Sequence, residues 1–107
     1  MIDPSNTQYL AEQAVRLLAT GEDEIKHRLL IAYTQKFQYI FPEHVPEELR
    51  SLVVSVRRRL SKSPTYAQQS VVEAALYRMR RKTASKIAED ICEIHLSLSR
   101  PASQFQD

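Results

Sequence analysis

Glycine is almost missing from this chain: Gly21 stands alone among 107 residues. Glycine supplies the positive φ angles that hairpin turns and bulges need, so its scarcity argues against a β-rich fold. It also excludes the Gly-rich loops that cradle phosphates, and neither a P-loop nor a dinucleotide-binding turn can be built. Cysteine is equally scarce. Cys92 has no second thiol to pair with, which rules out an intramolecular disulfide and fits a reducing, cytoplasmic setting. Met1 to Asn6 reads MIDPSN, without a basic stretch leading into an apolar one, and no apolar run approaches the length of a membrane span. Neither export by such a signal nor a membrane partner is expected.

What remains is the composition of an ordinary globular domain, 43% hydrophobic and 26% charged. A chain of 107 residues holds one core and not two, so residues 1–107 are read as one domain. Helical periodicity runs through most of it. Asp3-Pro4 is a helix start, with aspartate as N-cap and proline at the first helical position. The helix that follows carries Leu10, Ala14, Leu17 and Leu18 on one face, flanked by Tyr9 and Val15, and ends at Gly21. Glu22, Asp23 and Glu24 would occupy the first turn of a second helix, where the macrodipole favours carboxylates. Its face is Ile25, Leu29, Leu30, Tyr33, Phe37, Ile40 and Phe41, and Pro42 closes it.

Pro46-Glu47-Glu48 opens a third helix whose Leu49, Leu52, Val53, Val56 and Leu60 fall on a single stripe. Ser61 to Pro64 breaks it. Ser63 as N-cap and Pro64 then start a final element with no further proline until Pro101. Its stripe is Val72, Ala75, Leu76, Met79, Thr83, Ile87, Ile91, Ile94 and Leu98. Unbroken, such an element of some 35 residues would span on the order of 50 Å at 1.5 Å per residue, too long for a compact domain of this size. Either it kinks near residue 82, within Arg80 to Thr83, or its end packs on a second copy. Residues 99–107 read as a frayed tail. The expected fold is all-α, an antiparallel bundle of four to five helices with a long or kinked last element.

Charge is the feature with most functional content. The formal net charge is only +2, yet residues 57–86 carry 9 basic groups and 1 acidic one, while residues 1–56 carry 5 and 8, and residues 87–107 carry 1 and 4. Arg57, Arg58, Arg59 and Lys62 close the third helix; Arg78, Arg80, Arg81, Lys82 and Lys86 lie in the middle of the last element. A stripe of this kind can track a phosphate backbone through bidentate arginine forks. The same residues equally complement helix C-termini, or meet the Glu22 to Glu24 cluster and the acidic residues 87–107 of their own chain.

Other chemistry is thinly represented. Glu24 and His27 match half of a di-iron Glu-x-x-His pair, but neither His44 nor His95 has a glutamate three residues before it. Glu89, Cys92 and His95 are spaced i, i+3, i+6, a spacing common by chance on helices. Cys92, among Ile91, Ile94 and Leu98, reads as a buried small hydrophobe. Tyr9, Tyr33, Tyr39, Tyr66 and Tyr77 read as core or boundary residues. Thr83 to Ile91 resembles the first helix of a helix-turn-helix, without the turn and recognition helix that would have to follow.

Taken together, Tyr9-Leu10, Ala14-Val15, Pro46-Glu47-Glu48-Leu49-Arg50 and Thr83 to Ile91 resemble small helical bacterial proteins of unknown function. That resemblance implies a bacterial cytoplasmic protein and carries no catalytic, metal or cofactor residue. The functional expectation is a non-enzymatic helical module for protein–protein interaction that needs no cofactor. It would self-associate as a homo-oligomer, a dimer in the first instance, through the uncovered stripe of the last helix. The alternative is nucleic-acid binding through the basic stripe of residues 57–86.

Overall fold

The helical segments read from the sequence appear in the computed structural model, which describes residues 4–61 and 71–99, with side chains from residue 6 in the first segment and residue 72 in the second. Five α-helices follow in order: α1 (Pro4–Thr20), α2 (Ile25–Gln35), α3 (Glu47–Leu60), α4 (Val71–Arg78) and α5 (Arg81–Ser99). Two 3₁₀ turns, Phe37–Tyr39 and Pro42–His44, join α2 to α3. Among the described residues there is no strand. The fold is a small helical bundle, as expected. The caps at Asp3 and Ser63, the helix start at Pro64 and the tail beyond Ser99 lie outside the described residues.

Helix α5 is the organising element, since α1, α2 and α3 all pack on it, while α4 packs on α2 and α3. Its Ile87, Ile91 and Ile94 are fully buried, as are Leu29, Phe37 and Ile40 from the α2 region and Val53, Val56 and Leu60 from α3. Each such side chain contributes about 1.5–3 kcal/mol by leaving water. Tyr33 and Phe37 extend this core with rings 5.9 Å apart in a tilted pair. From α1 come Leu10, Ala14 and Leu18, with Thr7 and Ala11, whose burial the apolar pattern did not single out.

The kink expected near residue 82 is present as a break at Met79-Arg80 that needs no glycine or proline. The Met79 N–H bonds back to the Leu76 carbonyl and the Arg80 carbonyl accepts from Ala84, so one helix ends and the next begins within two residues. Four finer expectations are corrected. First, Thr83, expected in the stripe, is exposed, while Ala84, three residues before Ile87, is buried. Second, α2 stops at Gln35 and does not reach Ile40, though Phe37 and Ile40 still enter the core through the 3₁₀ turn.

Third, Glu22, Asp23 and Glu24 precede α2 and do not form its first turn, Glu24 being its N-cap residue. Fourth, among the described tyrosines only Tyr33 is buried; Tyr9 and Tyr39 are about half exposed and Tyr77 is 80% exposed. Tyr66 lies outside the described residues. No helix among the described residues is long and apolar enough to cross a membrane.

Candidate interaction site

The basic residues at the end of α3 alternate around the helix, and their fates diverge. Arg57 points toward the α2–α3 connection, where its Nη1 donates to the carbonyls of Gln38 (2.7 Å) and Ile40 (3.1 Å). Its guanidinium lies 4.7 Å from the Phe41 ring centroid. These carbonyls are left over where the chain leaves the α2 helix, so Arg57 acts as a cap supplied from another element. Its charge also opposes the burial that pushes the Tyr33 phenol above its ordinary value.

Arg59 turns inward between α3 and α5. Its Nη2 donates to Asp90 Oδ2 at 2.5 Å, and Lys86 Nζ lies 3.2 Å from Oδ1 of the same carboxylate. Arg81, at the start of α5, pairs with Glu24 at 3.2 Å across the α2–α5 boundary. Arg57, Arg59, Arg81 and Lys86 are therefore engaged within the fold. Arg58, Arg80 and Lys82 are exposed and form no ion pair among the described residues. Arg78 is exposed at the end of α4, and Lys62 lies outside the described residues.

The histidine and cysteine motifs do not converge on a metal site. Glu24 faces Arg81, His27 Nε2 sits 3.5 Å from Asp23, and His95 Nε2 lies 3.4 Å from the Ser99 hydroxyl. Among the described residues no three His, Cys, Asp or Glu side chains are placed to hold a metal ion. Thr83 to Ile91 is part of the single helix α5.

Hollows open on the surface of the described residues. One of about 460 Å³ lies between α2 and α4, with Glu24, Lys26, His27, Glu73 and Tyr77 around it. Its lining mixes both signs of charge, and Glu24 and His27 already have partners in the fold. Another, about 400 Å³, is an apolar groove along the seam of α1 and α5. Leu18 and Ala88 form its buried floor, Val15, Ile25 and Leu96 its walls, and Leu96 is 53% exposed.

The depth of this groove follows from side-chain size. Ser85, Ala88 and Cys92 recur on the α1-facing side of α5, and Ala19 stands opposite, so the backbones approach while little fills the space between them. Cys92 is half-buried here and not in the core. Burial, helped by the Glu89 carboxylate, pushes its thiol above its ordinary value, opposite to the direction that activates a nucleophile. Arg28, the cation in this lining, is tied down: its Nη1 donates to the Leu18 carbonyl (2.7 Å) and its Nε to that of Asp23 (2.8 Å). The exposed carboxylates Glu89 and Glu93 have no ion partner among the described residues.

The groove was not expected from the sequence, where the Ile87-Ile91-Ile94 stripe dominates α5. A second, weaker stripe, Ser85, Ala88, Cys92 and Leu96 at i, i+3, i+7 and i+11, was the signal that it existed. No family model, curated protein or solved structure matches the chain.

Proposed function

We propose that this protein is a non-enzymatic helical module for protein–protein interaction, acting in a reducing cytoplasm and engaging its partner through the α1–α5 groove. The observation that carries the reading is the groove itself: an open, apolar seam with the half-exposed Leu96 on its wall and a carboxylate edge. The raised thiol of Cys92 speaks against a nucleophile in the same place. Self-association was expected from an uncovered stripe on the last helix. The break at Met79-Arg80 lets α5 bury that stripe in its own core, so a second copy is one candidate occupant among others.

The test compares the tagged full chain with its Leu96→Glu variant, each purified from cells. The expected result is a stoichiometric partner, self or other, that wild type retains, Leu96→Glu loses, and that shields Cys92 from alkylation. A chain that stays monomeric by light scattering at every concentration removes self-association; one that in addition retains no other protein, with Cys92 equally reactive throughout, overturns the reading.

Nucleic-acid binding is the second reading, favoured by the solvent-facing Arg58, Arg80 and Lys82. It requires affinity that falls steeply with salt and is lost when these three are neutralised. With Arg57 and Arg59 engaged inside the fold, the continuous stripe is reduced to separate exposed cations.

A further inference from the structure

We infer that the occupant of the α1–α5 groove is the apolar face of a basic amphipathic helix from another protein. The inference rests on the interaction reading above and adds the chemistry of the partner. Length is the first argument. The groove follows α5 from Ser85 to Leu96, about 16 Å at 1.5 Å per residue, or three helical turns. That is the footprint of a helix docking through anchors at i, i+3 or i+4, and i+7. The lining is apolar along its floor and offers no row of free backbone groups, because both walls are helices whose amides bond internally. An extended strand would find nothing there to pair with.

Charge decides which helix. Glu89 and Glu93 stand one turn apart on the exposed edge of α5, and neither has an ion partner among the described residues. The Arg28 guanidinium already serves the Leu18 and Asp23 carbonyls. A partner helix with Lys or Arg beside its apolar face would meet these carboxylates, gaining both association rate and selectivity. A second copy docked groove to groove with its two-fold axis across the groove would instead set carboxylate against carboxylate.

The full chain, labelled with ¹⁵N, is titrated with a synthetic amphipathic helix of leucine and lysine, and separately with a twin carrying glutamate at every lysine position. The lysine peptide is expected to shift the amide signals of Val15, Ala19, Cys92 and Leu96 and to slow alkylation of Cys92. The double variant Glu89→Lys/Glu93→Lys, both sites being solvent-exposed and its fold checked by circular dichroism, is expected to lose roughly tenfold or more in affinity for the lysine peptide, as close charge pairs do. It should take up the glutamate twin instead.

Equal groove binding of the two peptides would overturn the basic-partner inference and leave the interaction reading standing. Binding of the lysine peptide that leaves the groove signals unmoved, or that survives Leu96→Gln unchanged, is adventitious attraction and overturns it as well. Failure of both peptides to bind overturns the inference. If the Leu96→Glu comparison also shows no partner, the interaction reading falls with it.

Discussion

Arg59 reaches across the α3–α5 interface to donate a 2.5 Å hydrogen bond to Asp90, whose carboxylate is held on its other oxygen by Lys86 at 3.2 Å. Asp90 is the buried carboxylate among the described residues, and it sits one residue from Ile91 on the helix that anchors the whole core. A buried charge of this kind is tolerated only while it stays paired.

Asp90→Ala is accordingly expected to destabilise the fold by about 2–4 kcal/mol, because it strands the Arg59 guanidinium in a half-buried position. Lys86→Ala should change stability by less than about 1 kcal/mol, as its ammonium is largely in water. Urea denaturation of the two variants checks the order. A Lys86→Ala effect as large as that of Asp90→Ala would mean that the outer pair, and not the Arg59 contact, supports the carboxylate.

Arg57 is expected to matter more for stability than for any ligand. Arg57→Met removes the donors to the Gln38 and Ile40 carbonyls and should destabilise by about 2 kcal/mol, in line with hydrogen bonds from a charged group. Arg57→Lys should restore little, since an ammonium cannot reproduce the guanidinium's fork of donors together with its place over the Phe41 ring. Arg58→Ala, at an exposed site, should lie within about 0.5 kcal/mol of wild type.

Gly21 is required for space. A Cβ there would lie 2.5 Å from Arg28 Cγ and 2.8 Å from its Cδ, on a side chain whose guanidinium is bonded to Leu18 and Asp23. Gly21→Ala is expected to destabilise by about 1–2 kcal/mol through loss of those bonds. In an Arg28→Ala background the same change should cost little more, and a double-mutant cycle that came out additive would refute the link.

The burial of Ala84 beside an exposed Thr83 makes a further prediction. Ala84→Lys places a charge at a fully buried position and should destabilise by about 3 kcal/mol or more, whereas Thr83→Lys, on the exposed side, should stay within about 0.5 kcal/mol. A Thr83→Lys cost as large as that of Ala84→Lys would put Thr83 back on the buried stripe. Thermal or urea unfolding of the two variants reads it directly.

Stability should fall on the alkaline side. Burial raises both the Cys92 thiol and the Tyr33 phenol, with Glu89 adding to the first and Arg57 opposing the second. Both groups therefore hold their proton more tightly folded than unfolded. Their contribution is complete below the unfolded values, about 8.5 for cysteine and about 10 for tyrosine, and is lost as pH rises through those values toward the folded ones. Cys92→Ser should flatten the first part of that decline and Tyr33→Phe the second, measured by urea midpoints across the alkaline range. A wild-type midpoint that stayed constant there would contradict the assignment.

Residue order alone determined the helices and most of what they bury. Leu49, Val53, Val56 and Leu60 line up on one face wherever that segment is placed, because a 3.6-residue repeat is a local property, and Pro46 marks a boundary through its own fixed φ. The excess of cations in residues 57–86 was equally plain.

What each cation does was decided only in three dimensions. Arg57, Arg58 and Arg59 are neighbours in sequence but point about 100° apart around α3, so one caps a distant connection, one meets water and one crosses to Asp90. The break between α4 and α5 has the same origin: no residue there forbids a helix, and the separate packing of α4 on α2 and α3 and of α5 on α1, α2 and α3 sets where it falls. The groove, too, exists only because small side chains on two distant segments meet across one seam, of which the α5 stripe gives one wall and not the other.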